Sequence, residues 1–352
     1  MENLILSLNV VLPLFITMSL GYFLKSLNMF DNNTLDTMNN ITFKSFLPML
    51  LFYSIYKTDL QGVFNLKLMI FSATCVIALY LILYLIVPLI EKDNKKRGAL
   101  LQGLFRSNFV IFGIPITESL FGSEKVGVAA LLIAVIVPLF NILSVIALET
   151  FRGGKPDFRK ISIGIIKNPL IIASCLGILT LLLKIKIPTA MEKTISDVSK
   201  IATPLSLILL GASFKFDNIK KYLKQTTIAV VGKTILTPCI ILPICIMFGY
   251  RGVELTTLMI IFAAPTAISS FTMAQQMDSD SDLAGQIVVF TSAFYVVTVF
   301  MLIFILSCFF NFYCFCLLFV SFLIIAIKFN YSFVKSMSIG ILYLIIGSTI
   351  NL

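Results

Sequence analysis

Apolar residues run in blocks of about twenty along this chain, and roughly twenty is what a helix needs to cross a bilayer. The blocks are Leu4–Leu24, Ile41–Tyr56, Leu68–Ile90, Leu100–Phe121, Val126–Leu148, Ile161–Leu183, Ile195–Phe214, Ile228–Phe248, Leu255–Met277 and Leu283–Leu306, here called spans 1 to 10. No charge appears between Asp282 and Lys328, more length than one helix can use. A turn near Ser307–Asn311 is therefore expected to separate span 10 from an eleventh apolar run, and Ser336–Ile350 reads as a twelfth. The pattern predicts an all-α polytopic membrane protein with a first repeat over 1–150, a second over 151–306 and an apolar tail over 307–352.

Spans 4 and 9 are not plain. Span 4 holds Arg106-Ser107-Asn108 and then Gly113-Ile114-Pro115-Ile116-Thr117-Glu118. Pro115 lacks an N–H and crowds the preceding turn, and Gly113 loosens the backbone beside it, so the helix is expected to break there. Span 9 holds Ala264-Pro265-Thr266-Ala267-Ile268-Ser269-Ser270, a second break. A break at membrane depth is tolerated only where the freed backbone groups face protein, water or a ligand. Two interrupted helices in corresponding places point to the substrate site of a secondary transporter.

The halves match each other. One constant offset lays Pro13 on Pro169, Gly21 on Gly177, Lys44 on Lys200 and Pro48 on Pro204. A slightly shorter offset lays Pro115 on Pro265, a difference that the charged loop Glu91–Ala99 accounts for. Five spans per repeat is an odd number, so the second copy enters the membrane inverted, with the site between copies. Lys and Arg are richer in the loops after spans 1, 3, 5 and 7 than in those after spans 2, 4, 6 and 8. The positive-inside rule then puts the former in the cytoplasm and the N-terminus outside. The first span lacks a basic leader and a small-residue cleavage site, so it reads as retained.

Composition agrees. Of 352 residues 59% are hydrophobic and 12% charged, against roughly 25% charged in a soluble domain. The net charge of +10 is the loop bias of a membrane protein, with no basic, aromatic-laced face of the kind that binds nucleic acid. The seven cysteines lie almost all in apolar runs, and without any histidine they suggest packing residues, not a metal site. No paired carboxylates, nucleophile–base pair or phosphate-binding glycine loop is present, so neither a cofactor nor an enzyme activity is expected.

The breaks supply the chemistry. A helix N-terminus carries about half a positive charge and free N–H groups, which suit a carboxylate. Gly113, Pro115, Pro265 and Asn108 are the expected frame of the site, and Thr117, Thr266, Ser269 and Ser270 its hydroxyls; each hydroxyl would equally serve as a cap or packing residue. Lys233 lies well inside span 8 and would hold an anion or pair with an acid such as Glu118. Glu118 is the carboxylate read as a coupling site, or else an outer-interface residue. Arg106 and Lys44 read as topology anchors near the cytoplasmic face.

The ordered set Ser107-Asn108, Gly113-Ile114-Pro115, Leu120-Phe121-Gly122, Pro204-Leu205-Ser206-Leu207 with Gly211, Lys233 with Pro238, and Ala264-Pro265-Thr266-Ala267 through Met273-Ala274-Gln275-Gln276 to Gln286-Ile287-Val288-Val289 resembles the bacterial members of the auxin efflux carrier family. The resemblance covers roughly residues 1–306. It implies ten helices in two inverted repeats, with the fourth and ninth broken and crossing at mid-membrane. It implies an efflux carrier or permease in the plasma membrane. The expected partners are a small organic anion such as malate or malonate, the bilayer and a second copy in a homodimer. Two other readings stay open: a sodium-coupled bile-acid-like symporter, and a receptor or scaffold that keeps the fold without transport.

Overall fold

The computed structural model describes residues 2–58, 65–152 and 158–308, and every regular element among them is helical. The chain divides into two compact units, Met1–Met301 and Leu302–Leu352. The tail beyond Cys308, with its expected turn and apolar runs, lies outside the described residues.

The helices are α1 Glu2–Ser26, α2 Asn32–Ile41, α3 Leu47–Tyr56, α4 Leu66–Ile90, α5 Asn94–Phe105, α6 Phe109–Phe121, α7 Gly127–Phe151, α8 Phe158–Lys167, α9 Pro169–Leu182, α10 Thr189–Ser213, α11 Asn218–Val231, α12 Thr237–Met247, α13 Gly252–Ala263, α14 Ser269–Gln276 and α15 Ser281–Cys308. Among the described residues, six continuous or nearly continuous runs are long and apolar enough to cross a membrane: Leu66–Ile90, Asn94–Phe121, Ser123–Phe151, Thr189–Ser213, Asn218–Met247 and Ser281–Ile303. Pro169–Leu182 and Gly252–Ala263 are shorter apolar helices, and the Val11–Ser26 part of α1 is apolar too.

Proline shapes the departures from straight helix. α2 and α3 are joined by a π-helical turn, Thr42–Phe46, two residues before Pro48. α11 and α12 are joined by another, Gly232–Leu236, two residues before Pro238. A proline ring clashes with the carbonyl four residues back, and a widened turn relieves the clash without ending the helix. Span 6, expected as one helix, is divided. Asn168 is extended (φ −73°, ψ 122°) because it precedes Pro169, and its side chain accepts from the Leu170 N–H at 2.9 Å to start α9.

α4 is a ruler for direction, 25 residues or about 37 Å long. At its start Tyr250 Oη donates to the Lys67 carbonyl (3.3 Å) and Asn65 Nδ2 donates to Glu254 Oε1 (2.8 Å). The turn leading into α13 is therefore at that end. At its far end Glu91 Oε2 accepts from Gln225 Nε2 of α11 at 2.6 Å. α5 begins close by, and Ser279 Oγ, just past α14, donates to the Lys95 carbonyl at 2.7 Å. So α5 begins where α14 ends, α13 begins at the opposite end, and the two interrupted helices run in opposite directions.

Packing separates two groups. α1 lies along α10, α3 along α9, and α10 against α3. α4, α5 and α7 pack together, α6 contacts α7 and α13, and α12 contacts α13. The start of α6 and the start of α14 lie at the seam between the groups.

Candidate functional site at the helix crossing

α5 stops at Phe105. Arg106 is extended (φ −77°, ψ 129°), and α6 starts after Asn108 (φ −84°, ψ 49°). α13 stops at Ala263, Ala264 is extended (φ −59°, ψ 150°), and α14 starts at Ser269. The two gaps meet: the Asn108 N–H donates to the Pro265 carbonyl at 2.8 Å. A helix end leaves carbonyls without partners, and a buried one must find a donor. Here Thr266 Oγ1 donates to the Gly103 carbonyl at 2.7 Å, and Lys233 Nζ donates to the Phe105 carbonyl at 3.0 Å. On the other side Thr291 Oγ1 accepts from the Thr266 N–H at 3.2 Å.

The first break therefore lies at Arg106–Asn108, not at Gly113–Pro115 as the sequence suggested. α6 runs through Pro115, which is exposed, with one missing backbone bond its only local cost. Gly113 is a packing residue: a Cβ there would come within 2.8 Å of the Phe109 ring. The gap carries no proline, and two of its freed carbonyls, those of Gly103 and Phe105, are satisfied by Thr266 and Lys233. Only the second break carries its proline inside it.

A cavity of about 60 Å³ opens at the crossing, where one water needs roughly 10–15 Å³. Its polar lining residues are Arg106, Ser107, Asn108 and Ser269, with Thr203 and Ser206 of α10. Leu47, Leu51, Val137, Phe140 and Leu170 are among its apolar residues. The starts of α6 and α14 both face it, through Phe109, Val110 and Ser269. Ser107 Oγ and Asn108 Nδ2 are buried and have no hydrogen-bond partner among the described residues.

The other expected residues fall outside the lining. Pro265 and Thr266 build the crossing itself. Ser270 and Thr117 are buried with unpartnered hydroxyls, Thr117 in the middle of α6. Lys233 is fully buried, but its ammonium donates to the Phe105 carbonyl and makes no ion pair with Glu118, which sits exposed near the end of α6.

Arg106, read as a topology anchor, is instead 4% exposed and sits in the crossing. Its Nη2 donates to Asn141 Oδ1 of α7 (2.7 Å) and to Ser269 Oγ (2.8 Å), and its Nη1 meets Met273 Sδ (2.6 Å). With the Gln102 amide turned to present its oxygen, Nη1 also donates to it at 3.0 Å. Asn141 was likewise missed. The available signal was a charge and an amide inside apolar spans, where such residues face the protein interior.

Antiparallel broken helices meeting over a small, largely apolar cavity with one polar side, within a chain of many apolar helices, define a multi-pass membrane transport protein. The model of the family described as membrane transport protein matches the chain twice, over residues 6–158 and 155–303. The chain belongs to that family, the auxin efflux carrier family that its motifs resemble. It is similar to an uncharacterized transporter of Methanothermobacter thermautotrophicus, 26% identical over 283 residues that cover 79% of this chain and 91% of the relative. It is also similar to the uncharacterized transporter MJ1031 of Methanocaldococcus jannaschii, 24% identical over 296 residues, 82% of this chain and 94% of the relative.

Proposed function

We propose that the protein is a secondary carrier of a small organic anion, working by alternating access from the plasma membrane with its N-terminus outside. The observation that carries the reading is the cavity at the crossing. The starts of α6 and α14 both border it, a position that favours negative charge, and Ser107 and Asn108 hold spare hydrogen-bonding capacity beside it. The cavity volume suits a substrate of a few carbons.

An inverted duplication fits the same reading. The family model matches each half once, the broken helices run in opposite directions, and the packing of α1 on α10 has its counterpart in α9 on α3. A cavity at the seam between two helix groups is opened to either side by moving one group against the other.

Counterflow in liposomes with a short-chain acid and its methyl ester tests the function. The acid is expected to exchange and the ester not. Equal transport of the ester would overturn the anion reading, and the absence of flux from a folded protein would favour a receptor or scaffold.

A further inference from the structure

Arg106 carries a full charge and meets only neutral partners. Among the described residues no carboxylate lies within 4.0 Å of it. Taking a guanidinium out of water without a counter-charge is expensive, and a thioether is a weak acceptor for one of its hydrogens. Were its role merely to tie α5, α7 and α14 together, a neutral amide would do so without that cost. Arg106 is also the single charged side chain on the cavity wall. Its neighbours Ser107 and Asn108 are the residues whose Oγ and Nδ2 lack partners.

Resting on the anion-carrier reading, we infer that Arg106 is the residue that selects the substrate by charge, exchanging Ser269 and Met273 for the substrate's negative group. A planar guanidinium grips a carboxylate with two parallel bonds, and Asn108 Nδ2 and Ser107 Oγ stand beside it as further donors. One charge matches one negative group. Away from Arg106 the wall offers no second charge, only the hydroxyl residues Thr203 and Ser206 among apolar ones such as Leu51, Val137, Phe140 and Leu170, so monoanions are favoured over dianions. Ser269 is the first residue of α14. Taking the guanidinium away from it frees the start of that helix, which couples occupancy of the cavity to rearrangement of the crossing.

The test uses the purified full chain, titrated calorimetrically and by thermal shift with straight-chain acids from acetate to hexanoate, with malonate and succinate, and with the amides of the monoacids. At least one monoacid is expected to bind and raise the melting temperature, its amide not, and succinate no better than butyrate. Arg106→Gln should weaken the acid roughly a hundredfold or more, and Arg106→Lys should weaken it less because the charge stays while the fork is lost. Ser269→Ala should bind the acid at least as tightly as wild type, because a competing acceptor is gone. A structural arginine would give a different result: Arg106→Gln would melt earlier when unliganded and keep the acid-induced shift. Wild-type affinity in Arg106→Gln, or in Arg106→Lys if the glutamine variant does not fold, would overturn the inference and leave the carrier reading standing. Failure of every acid on the wild type would remove both.

Discussion

Gly21 of α1 presses on the carbonyl of Ile208 in α10, so closely that a Cβ would overlap it. Gly177 of α9 meets the carbonyl of Phe52 in α3 in the same way, with a Cβ 3.2 Å from the oxygen. The offset that lays Pro13 on Pro169 also lays Gly21 on Gly177 and Phe52 on Ile208. A backbone carbonyl cannot step aside as a side chain can. Gly21→Leu is therefore expected to cost at least about 1–3 kcal/mol of overpacking, seen as earlier melting in detergent. Gly177→Ala, with slightly more room, should lose less.

The two breaks respond differently to substitution. Pro115→Ala lengthens the hydrogen bonding of a helix that is already continuous, so folding and transport are expected to persist. Thr266→Val strips the donor from the buried Gly103 carbonyl and should cost about 1–3 kcal/mol. Melting curves of both variants beside counterflow rates check the pair; loss of transport in Pro115→Ala with Thr266→Val unaffected would reverse the assignment of the first break.

Lys233 acts on the site through the Phe105 carbonyl and does not line the cavity. Lys233→Gln should consequently slow mono- and dicarboxylates by the same factor, on the order of tenfold for a lost charge-assisted bond. Parallel counterflow of butyrate and succinate reads this. A loss confined to succinate would place the ammonium against substrate.

Outside the spans, Glu91 offers a pH dependence. Burial pushes its carboxyl up, but the Asp93 N–H, Gln225, the Lys92 N–H and the Lys96 charge together hold it below its ordinary 4.5. A carboxylate held low when folded contributes stability above its unfolded pKa and loses it as pH falls through the folded one. Wild type should thus melt above Glu91→Gln at pH 7, and the gap should close on acidification below about pH 4.5. The effect is small because Glu91 is only half-buried. Melting series from pH 7 to pH 3 check it.

Topology is tested by labelling. Single cysteines at Lys95 and at Arg251 are expected to react from opposite faces of the membrane, since they lie beyond opposite ends of α4. Labelling of both from one side would remove the inverted repeat.

The apolar runs and the matched prolines and glycines made the helices and their duplication legible in sequence. They also exposed the second break, because Pro265 sits inside it. The first break was misplaced by seven residues' worth of helix onto Pro115, because what opens the chain at Arg106 is not local. Its freed carbonyls are held by Lys233 and Thr266, and no periodicity reports partners so distant. Arg106 was misread for a related cause. A cation near a span end resembles a topology signal until the fold shows that acceptors from α7 and α14 surround it.

That remote support has a consequence for biogenesis. Phe105 and Lys233 are 128 residues apart, and Gly103 and Thr266 are 163 apart. While the first half is being threaded into the membrane, neither partner has been synthesised. In lipid the stretch Asn94–Phe121 then has only its own backbone to bond with, and an unbroken helix is the state that satisfies it. The protein would enter the bilayer with its fourth span straight, and the arrival of the second half would prise it open and so create the cavity.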